Sequence, residues 1–243
     1  MKKKKHIDPY KNVSSIYSHL MDFVDYKWWA KYIYSITVNH LTKSPSVLEL
    51  GAGNCKLAGY LSKHYKDYIA SDISLSMLSG SNNKITKVCC DMTEIPFNKK
   101  FDLIFSAFDS INYLTSKTKL KSLFNAVNTH LTDNGVFTFD AALINNSLKH
   151  QKTALTSGYY NGIEYYRTSK YYPFSGIHKN IFRINHSEKT IVETHKQKIF
   201  EFETYFEIAE KCNLYVADCF KTFTFQKAKP TSDRVQFIMK RIT

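Results

Sequence analysis

The sequence predicts a doubly wound, mostly parallel α/β sheet with helices on both faces and a small antiparallel sheet inserted late in the chain. Three observations carry that expectation. Short apolar runs alternate with helical patterns from residue 47 to residue 140, as parallel strands joined by crossover helices do. Two glycines stand between the first apolar run and the first of those helices, where the chain must turn sharply. Between residues 155 and 200 the pattern changes to short alternations rich in Tyr, Phe, Ile and Thr, the period of half-buried antiparallel strands.

Taken in order, residues 14–37 read as largely helical. Residues 47–50 form the first strand and 56–64 the helix after it. Strands follow at 68–71, 87–90, 101–107 and 136–140, with helices at 74–81 and 120–131. Asp133-Asn134-Gly135 reads as a tight turn before the last of these strands. The insert should contribute strands at 164–172, 179–185 and 190–200. A helix at 203–212 and strands at 214–220 and 235–240 complete seven strands in the main sheet. The expected organisation is one domain over residues 1–243: a helical N-terminal lid (1–43), a core (44–148 and 201–243) and the inserted sheet (149–200).

Composition narrows the function classes. At 43% hydrophobic and 23% charged residues, the 243-residue chain is ordinary globular material. No apolar stretch reaches the roughly 18 residues of a membrane span, and the basic start is followed by no apolar run of a leader. Five cysteines in no metal-ligand spacing suggest free, mostly buried thiols and a cytoplasmic setting. His178, His186 and His195 also match no zinc pattern. The formal net charge is +13, of which +5 falls in residues 1–43 and +6 in residues 149–200. That excess allows an anionic partner, either a small molecule or nucleic acid, with Arg167, Lys170, Lys179, Arg183 and Lys198 as the side chains to watch. A Lys-rich solvated surface accounts for it equally.

The chemistry gathers at strand ends. Glu49-Leu50-Gly51-Ala52-Gly53 ends the first strand. A dinucleotide fold would want glycine at 56, where this chain has Lys56, and the acid at Glu49 suits a cationic ligand. Asp72 ends the second strand, where a carboxylate can accept both hydroxyls of a ribose, although Asp72 or Ser74 could also cap a helix. Asp91-Met92 follows the third strand, where an acid can receive an adenine amino group. Ser106 and the loop Asp109-Ser110-Ile111-Asn112-Tyr113 follow the fourth.

With those residues in hand, the chain resembles the class I S-adenosylmethionine-dependent methyltransferases over nearly its full length. The likeness rests on Glu49, Gly51, Gly53, Asp72, Asp91 and Met92. Tyr10, Tyr17, Asp25-Tyr26, Trp29 and Asp109 to Tyr113 resemble elements of small bacterial members, and the stretches 91–113 and 195–200 are similar to sugar-amine N-methyltransferases. The resemblance implies a Rossmann-like seven-stranded sheet and a cofactor site of Glu49, Gly51, Ala52, Gly53, Asp72, Ile73, Met77, Asp91, Met92 and Ser106. Tyr17, Tyr26 and Trp29 would complete it at the methionine end. Two positions depart from the family: Cys55 replaces a glycine, which ordinary helical dihedrals would tolerate, and Ser18 replaces an aspartate.

The implied function is methyl transfer to a nitrogen or oxygen of a small molecule, without metal. Tyr17, Asp109, Tyr113, His178 and His195 are the candidates for a catalytic role, and residues 1–30 and 155–200 the expected cover of the site. The alternatives are an RNA or protein methyltransferase using the basic segments, and a non-catalytic binding module of the same fold. The strand-tip loop Asp109-Ser110-Ile111-Asn112-Tyr113 carries no proline, which argues against a flipped-base substrate.

Overall fold

The computed structural model describes residues 8–153, 155–186 and 189–242; the lysine run at 2–5 lies outside them. Helices α1 (Ser14–Leu20) and α2 (Tyr26–Thr37) precede strand β1 (Ser46–Leu50). Then come α3 (Lys56–Leu61), β2 (Asp67–Asp72), α4 (Leu75–Ser79), β3 (Thr86–Cys89) and β4 (Phe101–Ser106). After β4 follow α5 (Lys117–His130), β5 (Leu131–Ala142) and α6 (Ile144–Lys152). The insert holds β6 (Leu155–Tyr160), β7 (Ile163–Tyr172), β8 (Ile177–His186) and β9 (Lys189–Lys198). Helix α7 (Phe202–Glu210) and strands β10 (Leu214–Lys221) and β11 (Arg234–Arg241) close the chain.

Seven strands make one sheet in the order β3-β2-β1-β4-β5-β11-β10, with β11 running against its neighbours. Strand order reverses between β1 and β4, so their carboxyl ends diverge and leave a crevice. Continuous apolar runs are required because both faces are covered. Val47 and Leu103 pack under α2 and α3, while their neighbours Leu48 and Ile104 pack under α5 and α7. Fully buried Phe101, Phe105, Phe124, Phe137, Phe139 and Phe237 fill these two layers, each contributing about 1.5–3 kcal/mol of apolar burial.

Several expectations need correction. The 14–37 helix is two helices, because Asp25 accepts a hydrogen bond from the Trp28 backbone N–H at 2.8 Å and so starts a new one. Asp133-Asn134-Gly135 is absorbed into β5, whose register against β4 shifts there, so the turn is an irregularity within a longer strand. The inserted sheet has four strands, in the order β6-β7-β8-β9. Helix α6 escapes notice in the sequence because Ile144 and Leu148 face solvent and only Ser147 is buried, leaving no apolar stripe. Of the five thiols only Cys55 and Cys212 are buried, and Cys89 is exposed. No helix of the described residues is long and apolar enough to cross a membrane.

Candidate active site

Two glycines shape the floor. Gly51 and Gly53 take positive φ, +72° and +56°, which side-chain-bearing residues rarely adopt. A Cβ on Gly51 would stand 2.9 Å from Ser110 Cβ and 3.4 Å from the Met92 methyl; one on Gly53 would stand 3.2 Å from the Met77 methyl. Met77 and Met92 thus hem in the turn from two sides. Cys55 does not have the helical dihedrals that would make it an easy replacement. It sits left-handed at φ 57°, ψ 23° ahead of α3, at a cost of about 1–2 kcal/mol. Its buried thiol is pushed up to about 11, so it is a neutral packing group.

The acids at the strand tips divide into three situations. Asp72 accepts from the Gly53 N–H at 2.7 Å and the Ser74 N–H at 2.8 Å, one bond to each oxygen. That locks its orientation and leaves lone pairs on both oxygens. Burial raises its pKa despite those bonds. Asp91 turns one oxygen onto the backbone and hydroxyl of Thr93 at 2.8 Å each. Glu49 is buried at the end of β1. It is 2% exposed, accepts the Tyr68 hydroxyl at 2.6 Å and does not line the cavity. Burial pushes its carboxyl up to about 7. Ser106 is also sealed in the core, with a hydroxyl that finds no partner, because β4 is covered on both faces. Ile73 sits exposed beside Asp72.

The N-terminal segment forms a roof latched to both sheets. Asp8 accepts from the Ser74 hydroxyl at 2.6 Å and the Ser76 N–H at 2.9 Å, over the tip of β2. Asn12 gives its backbone and side-chain N–H groups to Glu193 on β9, both at 2.9 Å. Val13 and Ile16 pack against Tyr165, Phe182 and Ile184 of the insert. Between the latches the Tyr10 hydroxyl donates to that of Tyr113 at 2.5 Å. Burial raises the pKa of Tyr10, Tyr17 and Tyr113, which excludes a phenolate base at neutral pH.

Beneath the roof lies a cavity of about 380 Å³. Its walls include Gly51, Ala52, Gly53, Tyr17, Tyr26, Trp29, Asp109, Tyr113 and His178 among the expected residues. His195 is not among them. Its ring lies 4.3 Å from Tyr10 and its Nε2 meets Glu193 at 2.9 Å, so it braces the roof. Glu49, Asp72, Ile73, Met77, Asp91, Met92 and Ser106 lie outside the cavity walls.

Asp109 stands at the centre of the polar wall. Phe108 and Asp109 are both left-handed, φ 59° and 49°, and the Asp109 N–H is held by Asp140 at 2.9 Å. The Asp109 carboxylate accepts from Arg234 at 3.0 Å and from Gln197 at 2.8 Å. Arg234 also pairs with Asp140. Burial pushes Asp140 up to about 6 against the pull of Arg234. On Arg234, burial is outweighed by the two carboxylates and its charge is reinforced.

The pleat of the inserted sheet sorts the five basic candidates. Arg167 pairs with Phe182, and Ser169 with Asn180, on the face over the cavity. Lys170 pairs with Lys179, one residue out of phase, so both point away and lie over the Tyr172 ring. Arg183 and Lys198 share that outer phase. Arg167 alone of the five lines the cavity.

Asn146, His150, Asn180, Gln197, Phe223 and Arg234 also line the cavity and escaped the sequence reading. The register of β8 against β7 and β9 would have found Asn180 and Gln197. Nothing in the sequence marks His150, which lies on the cryptic helix α6.

Comparison with known proteins adds the family. Residues 47–135 match the family described as a methyltransferase domain. The chain is 26% identical over 246 residues to a putative methyltransferase, YqeM, of Bacillus subtilis, covering 94% of this chain and 95% of the relative. It superposes on a crystal structure of an S-adenosylmethionine-dependent methyltransferase from Clostridium acetobutylicum with a TM-score of 0.79 at 25% identity, over 95% and 99% of the two chains. The methyltransferase domain over residues 47–135 and the full-length likeness to an S-adenosylmethionine-dependent methyltransferase support that activity. The enzyme's fold, insert included, is also similar to that of the sugar N-methyltransferase KedS8 from Streptoalloteichus, with a TM-score of 0.75 at 14% identity, covering 99% and 98% of the chains.

The residues present fit S-adenosylmethionine. Positive φ and the nearness of Ser110 and Met77 hold both turn positions to glycine, which leaves the backbone bare at the cavity wall. Asp72 is oriented by two backbone bonds with lone pairs to spare, and aromatic Tyr17, Tyr26 and Trp29 stand along the cavity beside the turn.

Proposed function

We propose that the enzyme methylates a nitrogen or oxygen of a small molecule held in the cavity between the glycine turn and the inserted sheet. One observation carries this reading: the cavity is walled at once by Gly51 to Asn54 and by side chains of β7, β8 and β9, under a roof latched at both ends. A cavity of this size, set between the core and the insert, suits a metabolite better than a polymer.

In this reading Asp72 accepts the ribose hydroxyls, Asp91 the adenine amine, and Gly51 and Gly53 let the backbone approach the methionine portion. Ala52 belongs to that turn; Ile73, Met77 and Met92 border the nucleoside. Tyr17, Tyr26 and Trp29 offer aromatic faces to a cationic sulfonium. Bound S-adenosylmethionine supplies an electrophilic methyl group. In-line transfer needs the acceptor atom held about 3–3.5 Å from it. Asp109 is placed to accept a hydrogen bond from the acceptor's N–H or O–H, its own orientation fixed by Gln197 and Arg234.

His178 is a second proton acceptor. The Ser169 hydroxyl donates to Asn180 at 2.9 Å, so the 2.7 Å contact between Ser169 and His178 is the imidazole Nε2–H donating. That leaves a bare lone pair on Nδ1, which has no partner in the protein. Burial lowers the pKa of His178 and keeps it neutral.

The test is to incubate the enzyme with methyl-labelled S-adenosylmethionine and a cell extract, then fractionate by size. Label in the low-molecular-weight fraction, lost in Asp109→Ala, is expected. Label in RNA or protein would contradict a small-molecule acceptor. Cofactor binding without transfer to any fraction would leave a binding module.

A further inference from the structure

We propose that the cavity wall formed by Arg167, His150, Asn146 and Asn180 is a subsite for one oxyanion group, carboxylate or phosphate, carried by the methyl acceptor. The inference rests on the small-molecule reading above and adds the chemistry of the molecule's other end.

Arg167 is the reason. It projects from β7 on the cavity face, and no carboxylate lies within salt-bridge distance of it among the described residues. Its Nε is buried and donates to nothing. A guanidinium carries five donors in a planar fork that matches a carboxylate or phosphate edge. Arg167 is half-buried, and its shielded Nε is a cost that a ligand's oxyanion would relieve. Arg234, across the same cavity, shows how the enzyme treats an arginine that serves the fold: both of its carboxylate partners are provided internally.

The surroundings of Arg167 point the same way. His150 of α6 and His178 of β8 stand with ring centroids 6.4 Å apart, and both also line the cavity. Burial and, for His150, the nearby Arg167 charge hold both imidazoles toward the neutral form. Arg167 is then the one charged group of the three, and an anion is what would relieve it. Asn180 accepts from Ser169 through its oxygen, and its amide N–H groups donate to no protein group among the described residues. The amide of Asn146 is equally uncommitted, so neutral donors flank the charged one. Asp109 is the one acid among the cavity-lining residues described, and Arg234 offsets its charge.

The same geometry removes the lysines from the argument. The excess charge of the insert stands mainly on the outer face, where Lys170 and Lys179 sit over Tyr172. An acceptor anion would therefore be read by one arginine, not by a basic surface.

The experiment uses the full-length enzyme loaded with S-adenosylhomocysteine, titrated calorimetrically at pH 7 with malonate and, separately, with inorganic phosphate. At least one probe should bind saturably to the wild type. Its affinity should fall about tenfold or more in Arg167→Gln, be partly kept in Arg167→Lys, and be unchanged in the outer-face variant Lys179→Gln. The tighter probe identifies the group as carboxylate or phosphate. S-adenosylhomocysteine affinity measured on each variant reports that the site is intact. Failure of both probes to bind the loaded wild type, equal binding by Arg167→Gln, or a loss in Lys179→Gln matching that in Arg167→Gln would overturn the subsite while leaving the methyltransferase reading in place. Failure of S-adenosylhomocysteine itself to bind would remove that reading and the subsite with it.

Discussion

Arg234 enters the cavity from the main sheet already paired with Asp109 and Asp140, whereas Arg167 enters from the inserted sheet with no acid beside it among the described residues. The contrast extends to the regions they belong to. At the strand tips of the main sheet the acids are tied to protein groups: Asp72 to the backbone of Gly53 and Ser74, Asp109 to Arg234 and to Gln197 of the insert. On the insert, Nε of Arg167 and Nδ1 of His178 lack partners among the described residues. The difference teaches which surface is built for the fold and which is left for a ligand. A group satisfied internally stabilises the empty protein, and one left unsatisfied on a cavity wall is open to what binds there.

The largest effect should come from breaking the internal network. Asp140→Ala removes one of the two carboxylates on Arg234 and the acceptor of the Asp109 N–H. It should destabilise the enzyme by about 3–5 kcal/mol in urea unfolding. Arg167→Gln should change the stability of the unliganded enzyme by less than about 0.5 kcal/mol, because nothing native is broken. Comparable losses from the two substitutions would break the comparison.

Glu49 sharpens the comparison through pH. Its carboxyl is held at about 7 by burial, against the model-peptide value of 4.5. A raised folded pKa means that the native state holds its proton more tightly than the unfolded chain. The stabilisation is therefore full below about pH 4.5 and is lost as pH rises through 7. Glu49→Gln should remove that dependence. The variant should gain up to about 3 kcal/mol over the wild type between pH 5 and pH 8, read from unfolding midpoints. Parallel stability curves would show that Glu49 is ionised at neutral pH in spite of its burial.

Asp72→Ala tests the cofactor end. Losing a charge-assisted acceptor should cost about 1.5–3 kcal/mol in S-adenosylhomocysteine affinity, a ten- to hundredfold change by calorimetry. An unchanged affinity would remove Asp72 from the site.

Much of the main sheet was legible because its signals are local. Buried parallel strands read as apolar runs such as Val47 to Leu50, and a glycine turn must follow where backbone space is needed. The inserted sheet was legible as a sheet but not as a wall, since facing depends on register that only the paired strands define. Lys170 and Arg167 looked alike in the sequence and differ by one step of the pleat. Helix α6 had no apolar stripe, so His150 and Asn146 went unseen. Arg234 lies 125 residues from Asp109, and no local pattern announces that pairing. The burial of Glu49 and Ser106, and the Tyr68 hydroxyl on Glu49, depend on packing that no local pattern announces.

A smaller effect is expected at the roof. Asn12→Ala deletes the side-chain bond to Glu193, worth about 0.5–1.5 kcal/mol. Hydrogen exchange over residues 10–20 should quicken several-fold, and S-adenosylhomocysteine should slow it again in the wild type. Protection by the ligand confined to residues 47–113 would show that the roof does not cover the cofactor.

The most direct test of the central claim is a crystal structure of the enzyme with S-adenosylhomocysteine. The account predicts the ribose hydroxyls on Asp72, the homocysteine along Gly51 to Gly53, and the sulfur opening into the cavity that Asp109 and Arg167 share. A ligand whose sulfur faces away from that cavity, or whose ribose leaves Asp72 uncontacted, would contradict it.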